Sequence, residues 1–276
     1  MGERVQNAEI AFFGGSFTAI DRDYMIELLS SAQEFIGENG FKGIRISTRP
    51  DAVDGEICDI LEKYHVTAVE LGAQSTNDKV LAMNRRGHTR EDIFRSARLL
   101  KERGFETGLQ MMTGLYGSND EDSIGTARDI ISLSPDTARI YPTVVIENTE
   151  LAELYRNGEY RPQTPEEAAV LCAKILPMFE RAGIKVIRLG LHSGGDVEGS
   201  FVAGAYHPAL REMCEGHIYF DIINRALSGK EKGKYIIYVA PREVSKASGQ
   251  RRCNIEKLRE LGYECRIKEN AALSAR

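Results

Sequence analysis

The chain has 276 residues and a net charge of −5, with 42% hydrophobic and 28% charged residues. This composition is typical of a folded globular protein and excludes a disordered chain. No apolar run approaches the roughly 20 residues of a membrane helix, and the N-terminus lacks a signal-peptide pattern, so the sequence predicts a cytoplasmic protein.

Charge and cysteines are distributed in an informative way. Residues 229–276 hold 12 Lys and Arg against 6 Asp and Glu, a local charge of +6, so the remainder carries −11. A basic tail on an acidic body predicts an anionic partner for the tail.

The five cysteines are odd in number and contain no C-x-x-C pair, which argues against a disulfide framework and a cysteine-held metal cluster within this sequence.

Short apolar strands alternate with helical patterns along most of the chain. Ser118 and Thr164 carry N-cap patterns, and Gly104 and Gly183 follow helical runs as stop signals. This alternation predicts a parallel sheet with crossover helices, and six units in a row favour an α/β barrel or partial barrel over a Rossmann sheet. The six strands are predicted at residues 8–15, 43–48, 67–72, 107–114, 137–143 and 185–190.

The C-terminal third has a different pattern. Residues 191–206 are rich in Gly and Ser and predict a long loop that closes the barrel. A helix is predicted from Pro208 to Leu227, followed by strands at 234–240 and 263–268 with a helical stretch between them. The prediction is therefore a barrel at 1–192 and a small α+β extension at 193–276.

Five predicted strands each place one polar residue between apolar neighbours. With a side-chain period of two, each polar residue faces away from its neighbours, towards the lumen if helices cover the outside. Buried charges need partners, so this set either satisfies itself or holds a ligand with a carboxylate and hydroxyls. Its repetition on five strands favours a ligand site. The residues are Arg45, Glu70, Gln110, Arg139 and Arg188.

Six segments then occur in a recognisable order: FFGGSFT, GIRISTRPD, VELGAQS, NRRGHT, GLQMMTGL and RIYPT. Together they resemble the radical S-adenosylmethionine (SAM) superfamily, in the branch of the Elongator catalytic subunit, with oxygen-independent coproporphyrinogen oxidases as more distant relatives. The resemblance implies a partial (βα)6 TIM-like barrel, a [4Fe–4S] cluster and reductive cleavage of SAM to a 5′-deoxyadenosyl radical. It also implies transfer RNA as the modified partner and an electron donor such as flavodoxin or ferredoxin.

The same resemblance assigns cofactor-binding positions. The turn of Gly14, Gly15 and Ser16 matches the one that receives the amino group of SAM, and Met112 matches the adenine-side strand. The full implied set is Gly14, Gly15, Ser16, Ser47, Arg49, Gln74, Gln110, Met112, Arg139 and Tyr141. No catalytic residue is assigned.

One family motif is not found in this sequence, the C-x3-C-x2-C that holds the cluster. The strand at 8–15 matches the family's second strand, so the resemblance implies a barrel missing its first βα unit. Because an exposed strand edge is unfavourable, we expect a chain that begins inside a longer protein. The alternatives are a cluster-free RNA-binding relative without catalysis, and a barrel enzyme that uses its polar lumen for an anionic small molecule.

The basic tail carries a second, partial motif. Residues 242–267 follow the spacing of a KH-type unit, in which a GXXG loop between two helices clamps nucleic-acid backbone. Arg252 stands where that loop has its second glycine. The alternative is an ordinary helix with a solvated basic face, and the local charge favours RNA. The candidate RNA-binding residues are Lys246, Gly249, Gln250, Arg251 and Arg252.

Overall fold

A computed structural model of the chain describes residues 7–191 and 199–274. The chain divides into two compact units. Unit 1 comprises Met1–Thr143 and Met178–Arg188, and unit 2 comprises Val144–Pro177 and Leu189–Arg276. Within the described residues, no helix is both long enough and apolar enough to span a bilayer.

Unit 1 is built on a curled sheet of six strands. They are β1 (Glu9–Phe12), β2 (Gly43–Thr48), β3 (Val66–Gln74), β4 (Glu106–Thr113), β5 (Thr137–Pro142) and β7 (Lys185–Leu189). They lie in the order β1-β2-β3-β4-β5-β7, and the pairings from β1 to β5 are parallel. Each predicted strand is present, and the predicted partial barrel of the α/β class is confirmed.

Helices of unit 1 connect successive strands and begin at side-chain caps. They are α1 (Arg22–Gln33), α2 (Gly55–Lys63), α3 (Asp78–Met83), α4 (Arg90–Glu102) and α5 (Asp120–Leu133). The predicted N-cap at Ser118 is wrong by one residue. The Ser118 hydroxyl donates to the Leu115 carbonyl at 2.7 Å, whereas Asn119 accepts from the Asp122 amide at 3.1 Å and so caps α5.

The core of unit 1 lies between the sheet and these helices. Ile44, Ile46, Leu71 and Leu109 are wholly buried, and each contributes roughly 1.5–3 kcal/mol by leaving water. Gly104 ends its helix with a φ of +81°, as its position in the sequence predicts.

In unit 2 a short antiparallel pair joins β6 (Val144–Ile146) to β8 (Phe201–Gly204). The prediction of a loop over 191–206 is therefore wrong for Phe201–Gly204, and residues 192–198 lie outside the described part. Local composition gave no sign of β8 because its hydrogen-bond partner is distant in the chain.

The helices of unit 2 are α6 (Glu150–Arg156), α7 (Pro165–Arg181) and α8 (Leu210–Leu227). The last residues of α7, from Met178, belong to unit 1.

The end of unit 2 is a small β-α-α-β arrangement. It consists of β9 (Gly233–Val239), α9 (Val244–Ser248), α10 (Cys253–Glu260) and β10 (Tyr263–Glu269), with β9 and β10 parallel. One face of this sheet packs with α8 and α10 in a buried cluster that includes Tyr219, Ile223, Leu258 and Tyr263. The predicted strands at 234–240 and 263–268 are confirmed, each to within one residue.

Candidate functional site

A network of charged side chains joins neighbouring strands of the unit 1 sheet. Arg45 on β2 donates to Glu9 at 2.7 Å, to Glu70 at 2.9 Å and to Glu106 at 2.6 Å. Although burial opposes the charge, the hydrogen bonds that Arg45 donates to Glu106 and Glu9 raise the pKa of Arg45. Because three carboxylates already surround its guanidinium, Arg45 holds these strands together and is not available to a ligand.

Arg139 on β5 extends this network towards the carboxyl ends of the strands. It donates to Glu70 at 3.2 Å and to the Tyr141 hydroxyl at 3.3 Å, and its guanidinium lies 5.2 Å from the ring centre of Phe13. Glu70 Oε2 and Arg139 Nε are buried and have no hydrogen-bond partner among the described residues. Because an unsatisfied buried polar atom costs about 1–3 kcal/mol, a hydrogen-bonding partner for either atom would stabilise this network.

The turn after β1 leaves space beside its backbone. Gly14 has a φ of +116°, which favours glycine, and a Cβ built at Gly14 or Gly15 meets no atom within 4 Å. Ser16 is half-buried and opens a short 3-10 turn at Phe17–Ala19. A ligand group can therefore approach this backbone closely.

The ends of β2 and β3 bring two arginines near each other. Arg49 is exposed and donates to both carboxylate oxygens of Asp51, at 3.0 and 2.6 Å. Arg86 lies in the loop after α3, and its Nε is buried without a partner among the described residues. Burial, together with the charge of Arg49, lowers the pKa of Arg86. An anion bound here would offset both effects.

The Arg86 loop is held to the end of β3. The ring Nε2 of His88 donates to the carbonyl of Ala73 at 3.1 Å. Gln74, the last residue of β3, has a φ of +63° and is 8% exposed, with its amide occupying the space above Gly72. Gln74 and Arg86 therefore occupy the same end of β3.

The remaining implied positions lie on β2, β4 and β5. Gln110 donates to the Ser47 hydroxyl at 3.5 Å, and half-buried Met112 is in register with Tyr141. The structure thus brings together Ser47 with Gln110, and Arg139 with Tyr141, whereas the side chain of Arg49 is turned to Asp51. Arg188 is half-buried on β7. Glu70 belongs to the predicted polar set, and Arg86 lies in the NRRGHT segment, for which the sequence favours a phosphate or substrate contact and a capped loop about equally. The sequence does not show that Arg86 Nε and Glu70 Oε2 are buried without partners among the described residues.

The cysteines do not fit an iron–sulfur cluster. Cluster ligands are thiolates, but burial raises the pKa of Cys58 to about 11 and that of Cys172 to about 12. Cys214 and Cys265 are also buried, and Cys253 is half-buried. Among the described residues no group of three or more His, Cys, Asp or Glu side chains is placed to hold a metal ion.

The candidate RNA-binding residues of unit 2 are in unequal environments. Lys246 donates to Glu215 and Glu243, both at 3.0 Å, so its charge is already neutralised. Arg251 and Arg252 are exposed with φ values of +51° and +65°, and Gln250 is half-buried. Gly249 has a φ of +73°, and a Cβ there would lie 2.7 Å from Cys253 Sγ.

Two family models match the chain. The model described as Radical SAM superfamily matches residues 2–130, and the model of the Radical_SAM C-terminal domain matches residues 135–219. Together they span most of the sequence.

Individual curated proteins are similar to this chain over only part of their own length. The tRNA uridine(34) acetyltransferase of Methanocaldococcus jannaschii is 31% identical over an alignment of 204 residues, which covers 66% of this chain and 38% of the relative. Elongator complex protein 3 of Homo sapiens is 31% identical over an alignment of 205 residues, which covers 64% of this chain and 36% of the relative. The match thus spans little more than a third of these curated relatives.

Solved structures agree with the fold. The archaeal Methanocaldococcus infernus Elp3 with an N-terminal deletion gives a TM-score of 0.66 at 25% identity, covering 81% of this chain and 55% of that chain. Coproporphyrinogen III oxidase (HemN) from Escherichia coli gives a TM-score of 0.53 at 18% identity, covering 76% of this chain and 46% of that chain, and supports the fold alone. The two family models, the curated relatives and the curled six-stranded sheet agree. The chain belongs to the radical SAM superfamily.

Proposed function

We propose that the carboxyl-end face of the unit 1 sheet binds SAM and that the chain acts in the modification of tRNA. The observation that carries the SAM proposal is Arg86, whose buried Nε has no partner among the described residues and whose charge burial disfavours. A carboxylate such as that of SAM fits this environment. The other residues that would hold SAM are Gly14, Gly15, Ser16, Ser47, Gln74, Gln110, Met112, Arg139 and Tyr141.

When bound, SAM supplies the 5′-deoxyadenosyl group that the superfamily releases by reductive cleavage. The residues of this chain bind and orient it. The open backbone at Gly14 and Gly15 receives a polar group, the Arg86 guanidinium neutralises an anion, and the Gln74 amide adds a neutral hydrogen-bonding group. Reductive cleavage needs a [4Fe–4S] cluster, which the described cysteines do not fit, so the role of the described residues is to bind and orient SAM.

The tRNA proposal is supported by the two curated relatives, one of which is named for acetyl transfer to uridine 34 of tRNA. Such a substrate agrees with the cytoplasmic location that the sequence predicts. Because this chain spans only part of those relatives, we propose that its substrate is tRNA, but we do not propose which group is transferred to it.

Equilibrium dialysis of the chain against radiolabelled SAM tests the binding site. We expect Arg86→Ala and Gln74→Ala each to weaken SAM binding by about tenfold, the magnitude of one lost charged or polar contact. Arg128→Ala is the charge-matched control, because Arg128 is exposed on α5. Folded protein that binds other small carboxylates but no SAM at millimolar concentration would support the anionic small-molecule alternative instead.

A further inference from the structure

The outward face of the β9–β10 sheet is open, basic and partly apolar. In the register of the two strands, Lys234 is opposite Glu264, Ile236 is opposite Arg266 and Tyr238 is opposite Lys268. All six side chains are exposed, Ile236 by 49% and Tyr238 by 53%, because the alternate residues face the buried cluster. Ile236 and Tyr238 are therefore surrounded on this face by the cationic side chains of Lys234, Arg266 and Lys268.

A groove of about 560 Å³ joins this face to α10 and to the loop before it. Among the described residues, its cationic lining comes from Lys234, Arg252, Arg259 and Arg266, and Ile236 lies within it. The lining also includes Glu264, whose carboxylate is 3.8 Å from Lys234 Nζ, so the three arginines carry the charge that remains for a ligand. The volume is in the range of binding clefts. The net positive charge of this lining makes the groove complementary to a chain of anions.

The loop at the end of the groove presents its arginines in an unusual backbone geometry. Arg251 and Arg252 both have left-handed φ values, a conformation that costs a non-glycine residue about 1 kcal/mol or more. Asn254 fixes the loop from below, because its buried amide donates to the carbonyls of Gly216 at 2.8 Å and Ala247 at 3.1 Å. The fold therefore holds Arg252 at the groove in spite of the strain.

We infer that this groove binds single-stranded RNA, with the backbone phosphates at Arg252, Arg259 and Arg266 and a base against Ile236 and Tyr238. Guanidinium groups bind phosphate, and exposed aromatic rings are stacking platforms for unpaired bases. Lys246 takes no part, because two carboxylates already engage it. The inference rests on unit 2 alone and is independent of SAM binding in unit 1.

Fluorescence anisotropy of the full chain with a labelled 12-nucleotide RNA of mixed sequence tests this site. We expect Arg252→Ala/Arg259→Ala to weaken binding at least tenfold and to reduce the slope of log K against log[salt] by about 1.4, the value for two lost phosphate contacts on a single strand. Arg225→Ala/Lys230→Ala, which removes two exposed cations of unit 2 outside the groove, should change binding less than twofold.

A second pair of variants separates stacking from charge. Tyr238→Ala should weaken RNA binding about fivefold or more, whereas Tyr238→Phe should retain it, because stacking needs the ring and not the hydroxyl. Tyr238 is exposed, so both variants should keep the fold, as circular dichroism will show.

Three results would overturn the inference. They are equal losses in the two double variants, unchanged RNA binding in Arg252→Ala/Arg259→Ala, and binding of a labelled poly-glutamate as tight as that of the RNA, which would indicate an acidic polypeptide partner. Loss of SAM binding in an Arg86 variant that still binds the 12-nucleotide RNA would bear on the proposed cofactor site only.

Discussion

The carboxylate of Glu70 lies directly over the backbone of Gly108 on the neighbouring strand. The two residues are in register, and a Cβ built at Gly108 would lie 2.4 Å from Glu70 Oε2. The wholly buried carboxylate of Glu70 therefore fits only because residue 108 is a glycine, which has no side chain. From that position Glu70 reaches Arg45 on one side and Arg139 on the other.

We expect Gly108→Ala to destabilise the fold by about 1–3 kcal/mol, because the added methyl group must displace a carboxylate that two arginines hold in place. Urea unfolding followed by circular dichroism measures this change. Gly125→Ala is the matched control. A Cβ at Gly125 in α5 meets no atom within 4 Å, so alanine there should stabilise the helix by roughly 0.5–1 kcal/mol. Equal stabilities of the two variants would contradict this account of Gly108.

Glu70→Gln should lower the free energy of unfolding by about 3 kcal/mol. The substitution keeps the shape of the side chain but removes the negative charge between two partly buried arginines, and Arg139 then has no carboxylate in the network. Glu56→Gln breaks an exposed ion pair with Arg22 and should leave the urea midpoint unchanged. A Glu70→Gln protein as stable as the wild type would show that the network is dispensable.

The pair of Arg90 and Asp129 predicts a contribution to acid stability. Arg90 donates to both oxygens of Asp129 at 2.9 Å, and this hydrogen bonding lowers the pKa of Asp129 from its usual 3.8. The folded pKa is the lower one, so the pair stabilises the fold above pH 3.8 and loses this effect as the pH falls through the folded value.

Unfolding free energies of Asp129→Asn and wild type, measured between about pH 2 and pH 6, test this linkage. The wild type should be the more stable at the upper end of the range, and the two proteins should converge at the lower end. A stability difference that persists unchanged at the acid end would contradict the assignment.

Thiol reactivity should follow burial. Half-buried Cys253 should react first with iodoacetamide at about pH 8, whereas Cys58 and Cys172 should resist until the chain unfolds, because their raised pKa values keep them as thiols. Peptide mass spectrometry after short pulses gives the order. Cys253→Ser should abolish the fast phase, and labelling of Cys172 as fast as Cys253 would contradict the complete burial of Cys172.

Much of the fold could be predicted from local patterns. Alternating apolar residues gave β2 at its true bounds, and the cap at Thr164 is present, with its hydroxyl accepting from the Glu167 amide at 3.2 Å. The strand β8 could not be predicted, because its ladder with β6 joins segments far apart in the chain. The predicted polar set gave Glu70 and Arg45, but it omitted Glu9 and Glu106, which stand at strand starts where no alternation marks them.

By itself the sequence determined the order of strands and helices, the class of the sheet and the segments that carry the family resemblance, because side-chain periods, caps and motifs are local. Only the tertiary structure decided which side chains are already neutralised and which remain available. Arg45 and Lys246 are engaged by carboxylates, whereas Arg86 Nε has no partner among the described residues. Strand register and helix packing set these pairings, since they join residues that are distant in the chain.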